Sequence, residues 1–231
     1  DIMIALHACD VATDYARHLG IRLGEGVDPA AIEPLLADAY RAVASGHAES
    51  DALQALVTEQ GLPWRQVAMI RAYVRYLRQL GVTSTLTFAA QTLRRYPGVT
   101  RALVGLFEDS LDPAISDEGR EARIQARHDD LAAGLEEVGT LDADRLIRRL
   151  AGVIDATLRT NFYQGHGRLA FKLATRQIAD APLPRPHFEI WVYSPEVEGV
   201  HLRFGEVARG GLRWSDRGED FRTEILGLVK A

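Results

Sequence analysis

The stretches RLAFKLAT at residues 168–175 and HFEIWVYS at residues 187–194 decide the fold class of this chain. Apolar residues alternate with other side chains in both stretches, and this period of two is typical of β-strands. A third stretch, GVHLRFGEVARGGLRW, predicts two more strands around a turn at residues 205–206. One face of the second stretch carries Phe188, Ile190 and Val192. We therefore expect a group of strands over about residues 168–214.

Upstream of these strands, apolar residues recur at the three- and four-residue spacing of helices, and short signals bound the first two. Asp28 is the expected N-cap of the first helix, Pro29 occupies its first turn, and Gly46 ends it. A short second helix is predicted between Ser50, as its cap, and Gly61, as its stop.

The third predicted helix begins at Pro63, ends at Gly81 and has two distinct faces. One face is an apolar stripe formed by Val67, Ile70, Val74, Leu77 and Leu80. The opposite face is a basic row formed by Arg71, Arg75 and Arg78. Such a row could bind nucleic acid or phosphate, but the net charge of −5 favours a solvated face or a contact with an acidic neighbouring subunit.

Four more helices are predicted before and after the strands, besides one charged stretch. Two lie around residues 88–96 and 98–107, while residues 114–139 predict a mostly exposed helix or linker. Residues 140–164 predict one amphipathic helix with a buried side formed by Leu146, Ile147, Leu150, Ile154 and Leu158. A final helix follows the capping-box pair Asp216 and Glu219, with an apolar face formed by Phe221, Ile225 and Leu228. The predicted fold class is α+β: a helical N-terminal region, strands that begin an α/β domain, and a closing helix.

The composition, with 47% hydrophobic and 26% charged residues, is that of a folded globular protein. Charges interrupt every apolar run, and the N-terminus lacks a basic n-region, so neither a membrane span nor a signal peptide is expected. The single cysteine, Cys9, favours a reducing, cytoplasmic setting. The negative net charge argues against nucleic acid as a partner. A start at Asp1 and an end inside a helical pattern lead us to expect an internal fragment.

Several motifs carry weak signals. GHGRLA at residues 165–170 matches the dinucleotide fingerprint, but a helix precedes it and a strand follows, which is the reverse of the required order. We interpret it as a polar connection. The seven histidines show no zinc-hydrolase spacing, so no metal site is expected. Ser194 lacks the G-x-S-x-G context of an activated serine.

The stretch EVARGGLRWSDRGEDF at residues 206–221 is the strongest candidate for a site. Adjacent glycines weaken a strand unless a bulge or the close approach of a ligand requires them. Arg209 and Arg213 flank Gly210 and Gly211, and a guanidinium pairs well with a carboxylate. Two interpretations are equally supported by these residues. The backbone amides form a shelf for an anionic ligand, or the glycines form a β-bulge whose arginines pair with nearby acids.

A resemblance to a known family favours the first interpretation. GVHLRFGEVARGGLRWSDRGEDFRTEILGLVKA closely resembles the large bacterial NAD-dependent glutamate dehydrogenases. RAYVRYLRQLG, ATLRTNFYQ, LAFKLAT and FEIWVYSPEVEGVHLR are similar to segments of that family in the same order. The resemblance runs from about residue 28 to the end, and it is most specific over residues 187–231.

The resemblance implies oxidative deamination of L-glutamate to 2-oxoglutarate and ammonia, with hydride transfer to NAD. Smaller hexameric glutamate dehydrogenases carry a similar Lys-Gly-Gly-Ile/Leu-Arg pattern, whose basic residue meets a carboxylate of glutamate. By position, Arg209 would take that role, with Gly210 and Gly211 as the shelf and with Arg213 and Asp216 as structural support. Arginine in place of lysine keeps the charge and changes the reach.

The resemblance also implies which parts are missing from this chain. The catalytic lysines and the NAD-binding domain would follow residue 231, so we expect no catalytic, cofactor-binding or metal residue here and no activity from this chain alone. Its domains would be an unplaced segment (1–27), a helical region (28–112), a charged helical linker (113–140) and the start of the catalytic, substrate-binding domain (141–231). The complete enzyme is expected to be a homo-oligomer. The alternative is a helical regulatory or oligomerisation module without a ligand site of its own.

Overall fold

The chain forms a layer of helices packed against one four-stranded sheet, with a further helix after the sheet. The computed structural model describes residues 28–205 and 221–230. The α-helices are α1 (Pro29–Ala44), α2 (Ala55–Gln60), α3 (Trp64–Gln79), α4 (Leu86–Arg95), α5 (Pro97–Leu111), α6 (Arg120–Glu136), α7 (Leu141–Asp155) and α8 (Phe221–Lys230). The strands are β1 (Thr157–Thr160), β2 (Leu169–Leu173), β3 (Phe188–Tyr193) and β4 (Glu198–Arg203). This order confirms the predicted α+β class.

Local sequence signals determine where the first helices begin and end. Asp28 caps α1 as predicted, because its Oδ1 accepts a hydrogen bond from the amide of Ala30 at 3.0 Å. The predicted cap Ser50 is wrong by one residue. Asp51 accepts the bond from the amide of Leu53 at 2.9 Å and begins a 3₁₀ turn that leads into α2. Gly61 ends α2 with a φ of 71°, a left-handed conformation that glycine adopts without steric cost.

Helix α3 lies at the centre of the fold and is buried on most sides. Its predicted apolar stripe is confirmed, because the side chains of all five stripe residues are buried: Val67, Ile70, Val74, Leu77 and Leu80. Tyr73 and Tyr76 are also buried and contact the sheet, where the ring centroids of Tyr73 and Phe171 lie 4.8 Å apart. A buried hydrogen bond from Nε1 of Trp191 to the carbonyl of Ala72, 2.9 Å long, joins β3 to this helix. The helical part and the sheet therefore share one hydrophobic core.

The sheet is an antiparallel meander in the order β1-β2-β3-β4. Its first strand corrects the prediction of one helix through Leu158, because α7 ends at Asp155 and Leu158 lies in β1 with 43% of its surface exposed. Leu158 follows Ile154 at helical spacing, so the apolar pattern continues into a segment whose backbone pairs with β2. Thr160, for example, lies opposite Phe171. The strands thus begin at residue 157, ahead of the predicted 168.

The two faces of the sheet differ in burial. Phe188, Ile190 and Val192 share a face as predicted, and that face is half-buried. The opposite face of β3, which contacts α3, carries Glu189 and Trp191, both with no exposed surface. The sequence does not predict which face of β3 is buried, because both faces carry apolar side chains. A carboxylate in the buried layer needs a partner, because an unpaired charge in such a place is strongly destabilising.

Helix α6, in the charged stretch, lies along α5. Leu131 is buried, whereas most other α6 side chains are partly or fully exposed, as predicted. Two glycines permit close packing of the helices. A Cβ atom at Gly134 would lie 2.6 Å from Cγ2 of Val99, and one at Gly105 would lie 2.6 Å from Nε of Arg127. Within the described ranges, no helix combines the length and apolar character needed to span a bilayer.

Candidate functional site

The predicted substrate residues Arg209, Gly210 and Gly211 lie outside the described residues, and so do Arg213 and Asp216. The strand predicted for residues 206–214 and the capping-box pair before α8 also fall in this segment. The structure does describe the two elements that bracket it. Strand β4 ends at Arg203, and α8 begins at Phe221. In the sequence, the candidate segment connects these two elements.

A buried ion pair attaches the beginning of α8 to the sheet. Arg222, the second residue of α8, and Glu189 on β3 have no exposed side-chain surface. Nε of Arg222 donates to both carboxylate oxygens of Glu189 at 3.0 and 3.1 Å, and Nη2 donates to Oε1. This two-nitrogen arrangement is the strong, directional form of an arginine–carboxylate contact. The amide of Arg222 also donates to Oε1 of Gln79 at 3.2 Å.

Tyr76 completes this group, which we call the anchor cluster (Tyr76, Gln79, Glu189 and Arg222). Its hydroxyl donates to Oε2 of Glu189 at 2.8 Å. Burial and the neighbouring Glu189 charge raise the pKa of Tyr76 well above its ordinary value, so the hydroxyl keeps its proton. Burial alone would lower the pKa of Arg222, but the hydrogen bond and charge of Glu189 outweigh it and raise that pKa. The cluster therefore holds one cation and one hydroxyl donor on the same carboxylate.

A second network attaches α3 to the loop after α1 and to β4. Arg71 has no exposed surface, and its Nε and Nη2 donate to the carboxylate of Asp51 at 2.7 and 2.9 Å. Arg75 bridges Glu49 at 2.7 Å and Glu198 at 2.8 Å. The expectation of a solvated or intersubunit basic row is thus wrong for Arg71 and Arg75. Their partners are acids of the same chain, far away in sequence, so the local pattern of the helix could not reveal them.

The GHGR loop lines a polar cleft of about 590 Å³ between the end of α1 and the β3–β4 turn. A helix was predicted before this loop, but the structure has a 3₁₀ turn there. Strand β2 follows the loop as predicted, and a strand in that place is not the order of a dinucleotide-binding motif. His47 and His166 line the cleft, and Nδ1 of His47 lies 3.1 Å from Oγ of Ser45. Ser45 donates its hydroxyl to the carbonyl of Arg41 at 2.7 Å, so it is a helix-capping residue and not an activated nucleophile.

Among residues 28–205 and 221–230, no three histidine, cysteine or acidic side chains are grouped closely enough to hold a metal ion. The arrangement offers a structural support of two charged networks on helix α3. One of them, the anchor cluster, includes Arg222, which follows the candidate segment in the sequence. The sequence did not reveal Glu189 or Arg222. A single acid within an otherwise apolar strand was the signal that could have pointed to a buried partner.

Comparison with known proteins places both halves of this support in one family. Residues 130–231 match the model of the bacterial NAD-glutamate dehydrogenase catalytic domain. Residues 48–113 match the model of glutamate dehydrogenase helical motif 3. The match boundaries assign Tyr76 and Gln79 to the helical motif and Glu189 and Arg222 to the catalytic domain. The anchor cluster therefore joins the two.

Individual relatives agree with these matches. The NAD-specific glutamate dehydrogenase of Pseudomonas aeruginosa is 47% identical over 230 residues, covering 96% of this chain and 14% of the relative. The Mycobacterium tuberculosis protein of the same name is 48% identical over 202 residues, and that of Halomonas elongata is 50% identical over 200 residues. These two alignments each cover 84% of this chain and 12% of the relative. The chain thus spans 12 to 14% of the length of these relatives. On this basis it belongs to the family of large bacterial NAD-glutamate dehydrogenases.

Proposed function

We propose that this chain is part of an enzyme that oxidatively deaminates L-glutamate to 2-oxoglutarate and ammonia, with NAD as the hydride acceptor. The match of residues 130–231 to the catalytic domain is the observation that carries this proposal. Because the chain spans a small share of its relatives, NAD would be bound by a part of the enzyme outside it. The same match favours the enzyme over an independent helical module without a ligand site.

Within this function, the chain would contribute the carboxylate-binding wall of the substrate site. Arg209 would pair with a carboxylate of glutamate, and the backbone at Gly210 and Gly211 would allow the close approach of that group. Arg213 and Asp216 would support the turn. Holding the substrate by one end orients its amino-bearing carbon for hydride transfer, which is how positioning lowers a barrier.

The helical region has a supporting role in this proposal. Its helix α3 is joined to the sheet by Tyr76, Ala72 and Arg75, through contacts with Glu189, Trp191 and Glu198. Such contacts keep the catalytic domain at a fixed orientation. The division into residues 28–112, 113–140 and 141–231 stays a prediction, and so do the cytoplasmic location, the role in amino-acid catabolism and the homo-oligomeric state.

Kinetics of the complete enzyme test the proposal. The enzyme should reduce NAD in the presence of glutamate, and Arg209→Ala should raise the KM for glutamate at least about tenfold, since it removes a charge-assisted contact. Arg209→Lys is the matched control, because it keeps the charge that the smaller enzymes carry there. It should retain more of the affinity. An unchanged KM and an unchanged turnover in Arg209→Ala would show that this residue does not bind substrate.

A further inference from the structure

The anchor cluster is an unusual way to attach a helix. The side chains of Arg222 and Glu189 are both fully buried. A buried ion pair contributes little net stability compared with apolar side chains of similar size, and its best attested use is to fix one arrangement of the elements it joins. Nη1 of Arg222 is also buried and has no acceptor among the described residues, which leaves one donor for water or for a group outside them.

The cluster fixes both the backbone and the side chain at the start of α8. Gln79 accepts a hydrogen bond from the main-chain amide of Arg222, and Glu189 accepts hydrogen bonds from the guanidinium of Arg222. The hydroxyl of Tyr76 donates to Oε2 of Glu189, so the carboxylate cannot rotate without losing this hydrogen bond of 2.8 Å. Phe221 adds an apolar contact, with its ring stacked on that of Trp191 at 6.2 Å between centroids. The anchor cluster therefore joins three elements, α3, β3 and α8, at the start of α8.

That point is where the chain leaves the candidate substrate segment. In the sequence, the segment that carries Arg209, Gly210 and Gly211 runs from β4 directly into α8. A group that binds a substrate must be held to within about 0.5 Å by the residues around it. Fixing the end of a connecting segment also reduces the conformational freedom that substrate binding would otherwise have to remove.

We propose that Tyr76 and Glu189 are positioning residues for glutamate binding, acting through Arg222 on the segment that carries Arg209. This rests on the proposed function. Neither residue needs to touch substrate. Tyr76 belongs to the helical motif, so a residue outside the catalytic domain helps to set the affinity for glutamate.

The test compares two tyrosines of α3 in the complete enzyme. Tyr76→Phe removes the hydroxyl that holds Glu189. Tyr73→Phe is the matched control, because Tyr73 is also buried and its hydroxyl makes a 2.9 Å hydrogen bond with Thr157 of β1, which is not part of the anchor cluster. We expect Tyr76→Phe to raise the KM for glutamate at least about threefold, and Glu189→Gln to raise it further, with the KM for NAD unchanged. Tyr73→Phe should change neither KM, although its thermal unfolding midpoint should fall by a similar amount.

Each outcome decides between the claims. If Tyr76→Phe and Tyr73→Phe have the same effect on the KM for glutamate, the cluster is merely structural and this inference is wrong. If Arg209→Ala raises the KM for glutamate while Tyr76→Phe leaves it within about twofold of the original, the proposed function stands and this inference fails. If all of these variants, Arg209→Ala included, leave it unchanged, the substrate assignment falls and this inference falls with it. Tyr76→Phe keeps the test decisive even if Glu189→Gln does not fold.

Discussion

Arg71 shows how single residues maintain this fold. It is fully buried on the central helix α3, where an unpaired guanidinium would be strongly destabilising, and Asp51 neutralises it with two hydrogen bonds. Burial alone would lower the pKa of Arg71, but its hydrogen bond to Asp51 and the charges of Asp51 and Glu49 raise it. The same Asp51 caps the 3₁₀ turn before α2. One acid therefore caps a 3₁₀ turn and also pairs with a buried arginine of α3.

Replacing Asp51 by Asn separates these two roles, because the amide oxygen can still cap the turn. Loss of the carboxylate charge beside a buried arginine should lower the free energy of unfolding by about 2–4 kcal/mol. Asp38→Asn is the control. It removes an ion pair with Arg41 whose side chains are 58% and 54% exposed, and such pairs contribute about 0–1 kcal/mol. Urea unfolding measures both, and equal effects of the two substitutions would contradict this account of Arg71.

At the scale of elements, the contact between α5 and α6 depends on glycine. Gly134 faces Val99, and a Cβ there would lie 2.6 Å from Cγ2 of Val99, closer than real contacts allow. Glycine in a helix is otherwise unfavourable by about 1 kcal/mol relative to alanine. The close approach of the two helices is therefore the physical reason for this residue.

Gly134→Ala should lower the stability of the chain by about 1–3 kcal/mol, since overpacking outweighs the gain in helix propensity. Gly152→Ala in α7 is the matched comparison, because a Cβ at Gly152 meets nothing within 4 Å. That substitution should stabilise by up to about 1 kcal/mol. The sign of the two changes in unfolding free energy is the readout. A stabilising Gly134→Ala would mean that α5 and α6 are not packed this closely.

The elements also show what the sequence could and could not predict. Short-range signals such as Asp28, Gly61 and Pro63 placed helix ends correctly, because capping and backbone geometry depend on neighbours in sequence. Strand β1 was missed because Leu158 continues a helical spacing, whereas its neighbours Thr157 and Arg159 pair with β2. The acidic partners of Arg71 and Arg75 were missed because they lie at least 20 residues away in the sequence.

The candidate site was predictable to a smaller extent. The charges and glycines around Arg209 supported an anion shelf and a β-bulge equally. The resemblance to the glutamate dehydrogenase family favoured the anion shelf. Glu189 and Arg222 were not predicted at all. Their pairing depends on the fold bringing β3 and α8 together, which no local pattern encodes.

For the whole molecule, the notable feature is one core shared by two family units. Helical motif 3 and the catalytic domain meet through Tyr76 and Glu189, and through Ala72 and Trp191. Removing the helical motif would expose Phe171 and Trp191, and removing the catalytic domain would expose Tyr76 and Phe107. None of these side chains now has exposed surface. The two units are therefore parts of one folded body and not independent modules.

We predict that this folded body has no glutamate dehydrogenase activity by itself. Because we propose that NAD binding and the catalytic lysines lie outside this chain, the 231 residues alone should produce no NADH from glutamate and NAD. Absorbance of NADH at a high concentration of the purified chain measures this, and the complete enzyme is the positive control. Glutamate-dependent NADH production that is lost in the Arg209→Ala variant of the 231-residue chain would overturn the prediction.

The central claim is that Arg209 binds a substrate carboxylate, and equilibrium binding tests it without the complication of turnover. Titration calorimetry of 2-oxoglutarate into the complete enzyme with NADH present gives the Kd directly. Loss of one charge-assisted contact predicts a Kd about 10- to 100-fold higher in Arg209→Ala, with NADH binding unchanged. A Kd for 2-oxoglutarate within about twofold of that of the unaltered enzyme would contradict the claim.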